Sequence, residues 1–128
     1  MVEDLLANEN ICVCVATGGW RDPALVKLEA AGIYIEDTPL ASSDDSHERL
    51  SIMRRAHDLT RASSEALAFG RVVYVADHIG DFLNAKKLGY DFVGIGSGVH
   101  GEQLKRAGAT HVQPNFLERD YFHRVFSA

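Results

Sequence analysis

The strongest constraint on the fold is a regular alternation of short apolar runs with longer segments of helical spacing. The runs are rich in Val, Ile and Tyr and show little polar alternation, which is typical of strands covered on both faces. Strands that alternate with helices favour right-handed crossovers. We therefore predict an α/β fold: a three-layer, open, mostly parallel Rossmann-like sheet of about five short strands with helices on both faces. The predicted strands are Ile11 to Ala16, Ile33 to Glu36, Arg71 to Ala76, Asp91 to Ile95 and His111 to Gln113.

Glycines mark the ends of the predicted helices. A left-handed glycine commonly follows the last helical turn, and four glycines stand at such places. Asp45 and Glu48 stand where a capping box would begin the second helix, which could extend to about Phe69. The first four predicted helices contain Leu28, Leu50, Phe82 and Leu104 respectively, and a terminal helix spans Leu117 to Phe126. The four glycines are Gly32, Gly70, Gly89 and Gly108.

The amino-acid composition of the chain disfavours some classes of binding partner. The net charge of −5, from 13 basic and 18 acidic side chains, disfavours nucleic acid, whose binding relies on clustered Lys and Arg. The longest apolar run is too short to cross a membrane. Cys12 and Cys14 lie two apart on one predicted strand, so we expect two small buried residues rather than a disulfide. These features predict a single cytoplasmic domain over residues 1–128.

Three sequence features fall at the carboxyl ends of predicted strands, where ligands bind in open parallel sheets. Thr17, Gly18 and Gly19 follow the first strand, and Asp77 with Asp81 follows the third. A glycine-rich stretch, Gly94 to Gly98, follows the fourth. This coincidence points to a ligand site at that edge of the sheet.

Each feature has two interpretations. Thr17 with the bare amides of Gly18 and Gly19 can hold phosphate oxygens, or the segment can be a plain turn into a helix. Asp77 and Asp81 can converge on Mg²⁺, or Asp81 can simply favour a helix N-terminus.

The stretch Gly94 to Gly98 and two further residues, His78 and Arg49, carry weaker signals. His78 beside Asp77 is interpreted as a loop residue. The stretch Gly94 to Gly98 is similar to a dinucleotide-binding turn, but Val99 occupies the last glycine position of the fingerprint, which favours a flexible loop. Arg49 could neutralise phosphate charge or be an ordinary surface arginine.

Taken together, the segments resemble the haloacid dehalogenase (HAD) superfamily. The resemblance spans residues 11 to 115 and follows the order of the family's second, third and fourth motifs. It implies a Mg²⁺-dependent phosphohydrolase core acting on a phosphate-bearing small molecule. The matching segments read VCVATGGWRDPALVKLEAAGI, PLASSDDSHERLSIMRRA and VVYVADHIGDFLNAKKLGYDFVGIG.

The resemblance assigns roles to individual residues. Thr17 is similar to the motif-two hydroxyl that binds the transferring phosphoryl group, with Gly18 and Gly19 beside it. Arg49 resembles the motif-three cation, although the family more often has Lys there. Asp77 and Asp81 resemble the motif-four acids that hold Mg²⁺. A further departure is Ala76, where the family usually has Gly.

The family's first motif is missing from these residues. An Asp-x-Asp provides the nucleophile and the proton-transfer group, and Met1 to Asn10 contain none. The resemblance therefore implies a truncated core that lacks its central strand and any cap domain, and that is inactive alone. The exposed strand edges predict self-association or pairing with a missing N-terminal segment. Two alternatives remain: a non-catalytic remnant that binds phosphate, Mg²⁺ or a partner, and a nucleotide-binding α/β module.

Overall fold

The computed structural model describes Leu5 and residues 11–33, 38–63 and 70–127. Within these residues the chain forms five strands and five helices, and all strand pairs are parallel. The chain divides into two compact units, Met1–Phe69 and Gly70–Ala128. The predicted open α/β class with parallel strands is thereby confirmed at this coarse level.

The first unit contains two strands and two helices. They are β1 (Val15–Ala16), α1 (Arg21–Ala30), β2 (Leu40–Ala41) and α2 (Arg49–Ser63). In the β1–β2 pair, Val15 lies opposite Leu40, and the Val15 N–H donates to the Pro39 carbonyl at 2.9 Å. Parallel pairing brings the carboxyl ends of both strands to one edge.

One face of α2 covers this sheet. Ile52 and Ala56 lie four residues apart on that face, and each is 2% exposed. They form a buried cluster with Ala41, and Ala16 and Leu59 pack against it. The cluster fixes the start of α2 close to the ends of β1 and β2.

The strands of this unit differ from the prediction. Leu40–Ala41 forms a strand that the sequence did not predict. Of the predicted strand from Ile33 to Glu36, Ile33 is not in a strand, and residues 34–36 lie outside the described residues. A two-residue strand directly after Pro39 has no periodicity that a sequence pattern could detect. The first strand, Val15–Ala16, is also shorter than the predicted strand from Ile11 to Ala16.

The second unit contains a three-stranded sheet in the order β3–β4–β5. On its central strand, Val93 is completely buried and Phe92 is 7% exposed. The rings of Phe82 and Phe92 meet edge to face at 5.3 Å. Its elements are β3 (Val73–Ala76), α3 (Ile79–Leu88), β4 (Asp91–Ile95), α4 (Gly98–Ala107), β5 (Val112–Gln113) and α5 (Arg119–Ser127).

Left-handed glycines end the helices at most of the predicted places. Gly89 and Gly108 close α3 and α4 with φ of 76° and 111°, and Gly32 after α1 has φ of 78°. Gly70 is not among the glycines with positive φ, and the residues directly before it, 64–69, lie outside the described residues. The helix before it is described only to Ser63.

No described helix combines the length and the apolar character that crossing a bilayer requires.

Candidate functional site

The turn after β1 presents hydrogen-bond donors at the edge of the first sheet. The Thr17 N–H continues the ladder by donating to the Ala41 carbonyl at 3.0 Å. The Thr17 hydroxyl oxygen accepts a hydrogen bond from the Gly19 N–H at 3.1 Å. A hydroxyl that accepts in this way keeps its own hydrogen for a further acceptor. Among the described residues, the Gly18 N–H has no hydrogen-bond partner. The turn therefore presents two donors.

The loop after β2 is tied to this turn. The Ser43 N–H donates to the Gly19 carbonyl at 3.0 Å, and the Ser43 hydroxyl donates to the Gly18 carbonyl at 2.5 Å. These two hydrogen bonds fix the backbone of the glycine pair, and the amide of Gly18 is held in place as a donor. Sequence reasoning did not single out Ser43.

The loop itself is closed by side chains. The Asp45 carboxylate accepts from the Ser42 N–H at 3.0 Å, and the Ser42 hydroxyl accepts from the Asp44 N–H at 3.2 Å. The predicted capping box from Asp45 to Glu48 is wrong, because Asp45 closes the loop instead. The Glu48 N–H donates to the Ser46 hydroxyl at 3.2 Å, immediately before α2.

Arg49 lies against the glycine turn. It is the first residue of α2, and its Nη1 lies 2.9 Å from the point where a Cβ on Gly18 would stand. Real Cβ atoms almost never approach another atom so closely, so this contact requires glycine at position 18. The structure thus brings together Thr17, Gly18, Gly19 and Arg49, all four of which the sequence selected as phosphate-site candidates.

A carboxylate occupies the N-terminus of α1. Asp44 accepts a hydrogen bond from the Arg21 N–H at 3.2 Å. Trp20, the N-cap residue, makes no side-chain cap. A negative charge at a helix N-terminus is favourable, and here it also adds an anion beside the glycine turn. Sequence reasoning missed this role of Asp44, because the two residues lie 23 positions apart.

The two candidate metal ligands lie in the second unit, on the loop between β3 and α3. Asp77 directly follows β3 and is exposed, whereas Asp81, in the first turn of α3, is only 1% exposed. No buried side-chain oxygen or nitrogen among the described residues lacks a hydrogen-bond partner. The pair thus offers one solvent-facing carboxylate and one that the protein holds in place.

His78 caps the helix that carries Asp81. Its Nδ1 accepts from the Gly80 N–H at 3.0 Å, and its carbonyl accepts from the Asp81 N–H at 3.1 Å. It is therefore a helix cap rather than a plain loop residue.

The described residues contain no group of three or more His, Cys, Asp or Glu side chains placed to hold a metal ion. Asp77 and Asp81 are thus two carboxylates without a third protein ligand in this part of the chain. Mg²⁺ commonly binds through one or two carboxylates and completes its shell with water and substrate phosphate. Both side chains are carboxylates, the ligand type that Mg²⁺ prefers, and Asp77 is the one that is exposed to solvent.

The glycine stretch after β4 is explained by packing. A Cβ on Gly94 would lie 2.8 Å from Leu104 Cδ1, and a Cβ on Gly101 would lie 2.8 Å from the Gly96 carbonyl oxygen. These glycines let α4 approach the end of β4 closely. Gly98, with φ of 56°, begins α4 in a left-handed conformation. Helix packing accounts for Gly94, Gly96 and Gly101 without any ligand.

A shallow cleft lies at the other end of β4. It has a volume of about 240 Å³, and its walls include Phe82, Lys86, Tyr90 and Asp91. Asp91 begins β4, so the cleft lies at the amino end of the strand, away from the loop that carries Asp77. It offers no cluster of chemically reactive groups.

The cysteines differ from the expectation of two buried residues, since Cys12 and Cys14 are both exposed; neither forms a disulfide. Within the described residues, neither lies in a strand. Even so, enough protein surrounds the Cys14 sulfur that its partial burial raises the pKa of the thiol, and a hydrogen bond with Thr60 partly offsets that rise.

The chain matches no protein-family model, and no curated protein shows significant sequence similarity to it. The resemblance to the HAD superfamily therefore depends only on the motifs in its own sequence.

Proposed function

We propose that this chain is the C-terminal part of a HAD-type, Mg²⁺-dependent phosphohydrolase core with phosphomonoesterase ancestry. The approach of Arg49 Nη1 to Gly18 is the observation that carries the proposal. It brings the cation of the third-motif segment to the hydroxyl and amide donors of the second-motif segment. A cation over a glycine turn with free donors is suited to a doubly charged phosphoryl group.

The residues of the turn act by positioning and by electrostatics. The Thr17 hydroxyl and the Gly18 N–H donate to phosphoryl oxygens, and Arg49 neutralises their charge. Such fixed donors stabilise charge without having to reorganise when the substrate binds. The hydrogen bonds from Ser43 hold the turn in shape.

Asp77 and Asp81 are the residues that would hold Mg²⁺ in this proposal. Asp77 is exposed and can meet a hydrated ion, while Asp81 is buried in the first turn of α3. Bound Mg²⁺ supplies further neutralisation of phosphoryl charge. Thr17 and Arg49 belong to the first unit, and Asp77 and Asp81 belong to the second.

The strand pattern supports a missing central strand. In the HAD family, the first-motif strand is a neighbour of the motif-two strand, to which β1 corresponds. Within the described residues, β1 pairs only with β2 and β3 only with β4. Each therefore has one edge without a strand neighbour, which is a site for pairing with another chain. We propose that a strand from another segment or polypeptide completes the site, and that these residues alone do not turn over substrate.

A non-catalytic phosphate-binding protein is the second candidate. The absence of Asp-x-Asp from the sequence favours it, because removal of a covalent nucleophile removes the reaction pathway. The third hypothesis, a nucleotide-binding module, is less well supported, since packing accounts for Gly94, Gly96 and Gly101.

The first experiment measures inorganic phosphate binding by ³¹P NMR for the whole chain and for Arg49→Gln. Loss of a charge-assisted contact weakens binding by about tenfold or more. Arg54→Gln is the matched control, because Arg54 is an exposed arginine on the same helix. Equal affinity in both variants would contradict the role of Arg49.

The second experiment measures Mg²⁺-dependent hydrolysis of p-nitrophenyl phosphate by the chain and by Asp77→Asn. We expect no turnover from either. Turnover that Asp77→Asn abolishes would show that the nucleophile is present and that our account of the missing motif is wrong. Co-expression with a segment that carries an Asp-x-Asp strand separates the two candidates, because only the hydrolase core gains activity.

A further inference from the structure

Trp20 is an exposed aromatic residue directly beside the glycine turn. It is the only tryptophan of the chain, it follows Gly19, and 58% of its surface is accessible. Tryptophan is highly buried on average, since its ring dominates the energetics of cores and interfaces. An indole exposed to this extent is an unusual surface feature.

No helix-capping hydrogen bond among the described residues accounts for the side chain of Trp20. It is the N-cap of α1, but its side chain makes no cap hydrogen bond. The helix that it precedes has no buried residue. Its carbonyl serves the helix by accepting from the Ala24 N–H at 3.1 Å, which any residue type could do. The start of α1 therefore does not explain why residue 20 is a tryptophan.

The surroundings of Trp20 suggest a ligand. Thr17 and Gly18 precede it by three and two positions, and Arg49 lies against Gly18. A monoester held there by its phosphoryl oxygens must extend its organic group away from these donors. Asp44 lies at the start of α1, so a second anionic group on the ligand would be repelled on that side. An uncharged planar group beside the indole fits both conditions.

We infer that Trp20 is a specificity-determining residue that stacks against the ring of an aryl phosphomonoester. The inference rests on the proposed phosphate role of Thr17, Gly18 and Arg49. Stacking of one ring on an aromatic side chain strengthens binding by about tenfold, so the site prefers aryl over alkyl phosphates. Inorganic phosphate, which has no ring, does not use Trp20.

The test compares three probes on the full chain: inorganic phosphate, ethyl phosphate and phenyl phosphate, with dissociation constants measured by ³¹P NMR. We expect phenyl phosphate to bind about tenfold more tightly than ethyl phosphate. Because Trp20 is the only tryptophan, its fluorescence reports on this position directly. Phenyl phosphate should change that fluorescence much more than ethyl phosphate does.

Variants separate stacking from general hydrophobicity. Trp20→Leu should equalise the affinities for phenyl and ethyl phosphate and leave inorganic phosphate binding unchanged, whereas Trp20→Phe should keep most of the preference. Val26→Ala is the matched control, because Val26 is an apolar residue of α1 that is 66% exposed. It should retain the full preference. Circular dichroism checks that each variant is folded.

The outcomes distinguish this inference from the proposed function. If all three probes bind and the two esters bind the unmodified chain equally, the role of Trp20 is wrong and the phosphate site stands. If Trp20→Leu still binds phenyl phosphate more tightly than ethyl phosphate, the role of Trp20 is likewise wrong and the phosphate site stands. If none of the probes binds, both the phosphate site and the role of Trp20 are wrong.

Discussion

Arg49 Nη1 lies 2.9 Å from the position that a Cβ on Gly18 would occupy. The guanidinium of Arg49, at the start of α2, therefore packs closely against the turn after β1. The start of α2 is fixed by the cluster of Ala41, Ile52 and Ala56. The hydrogen bonds from Ser43 hold the turn. The contact thus joins the start of α2 to the turn after β1 within the first unit. A substitution at this contact is the most direct test of the proposed site.

Gly18→Ala should impair phosphate binding with little effect on stability. The new Cβ meets the end of a flexible arginine, which can move away, so the free energy of unfolding should change by less than about 1 kcal/mol. The displaced guanidinium should weaken phosphate binding by about tenfold. Urea denaturation and ³¹P NMR measure the two effects.

Gly70→Ala is the control for that variant, since a Cβ there meets nothing within 4 Å. It should leave phosphate affinity unchanged. A Gly18→Ala protein that binds phosphate as tightly as the unmodified chain would show that Arg49 is not part of the phosphate site.

Asp44→Ala should destabilise the protein by about 0.5–1 kcal/mol, because α1 loses the carboxylate that accepts from the Arg21 N–H. Glu29→Ala removes the same charge near the opposite end of α1, where a negative charge is unfavourable. It should leave the free energy of unfolding unchanged or slightly higher. Urea denaturation at low salt compares the two variants, and equal effects would argue against a helix-end role for Asp44.

Gly101→Ala should destabilise the protein by about 2 kcal/mol, because its Cβ would meet the Gly96 carbonyl oxygen at 2.8 Å and neither backbone can yield easily. This loss of stability is expected even when no nucleotide is present. A variant with unchanged stability that had lost the binding of a nucleotide such as ATP would instead support a ligand role for the glycine stretch.

Cys14 should react slowly with thiol reagents near neutral pH, because its partial burial raises the pKa of the thiol. In a Cys12→Ser background, the alkylation rate should rise steeply only at alkaline pH. Thr60→Val removes the hydrogen bond that lowers the pKa, so the rate profile should shift further toward high pH. Iodoacetamide labelling across pH, followed by mass spectrometry, measures both profiles.

The same pKa shift has a consequence for stability. The folded state keeps the Cys14 proton to higher pH than the unfolded state does, so its contribution is complete below the unfolded pKa. That contribution is lost as the pH rises through the folded pKa. The free energy of unfolding should therefore decline in alkaline solution, and Cys14→Ala should reduce that decline.

Local patterns predicted most elements of the second unit correctly. The strand Asp91–Ile95 matches the prediction at both ends, and Gly89 and Gly108 end helices as their positions indicated. These features depend on side-chain spacing and on the conformational freedom of glycine, both of which the sequence contains. The strand Leu40–Ala41 was missed because two residues have no period.

The sequence by itself determined the alternation of strands and helices and the candidates Thr17, Gly18 and Arg49, because residue type and spacing fix local structure and chemistry. Only the tertiary structure decided that Arg49 lies on Gly18 and that Ser43 holds the turn. These contacts join residues far apart in the chain. They arise because parallel pairing and the packing of α2 bring the ends of separate strands to one edge of the sheet. No local sequence pattern encodes the proximity of these strand ends.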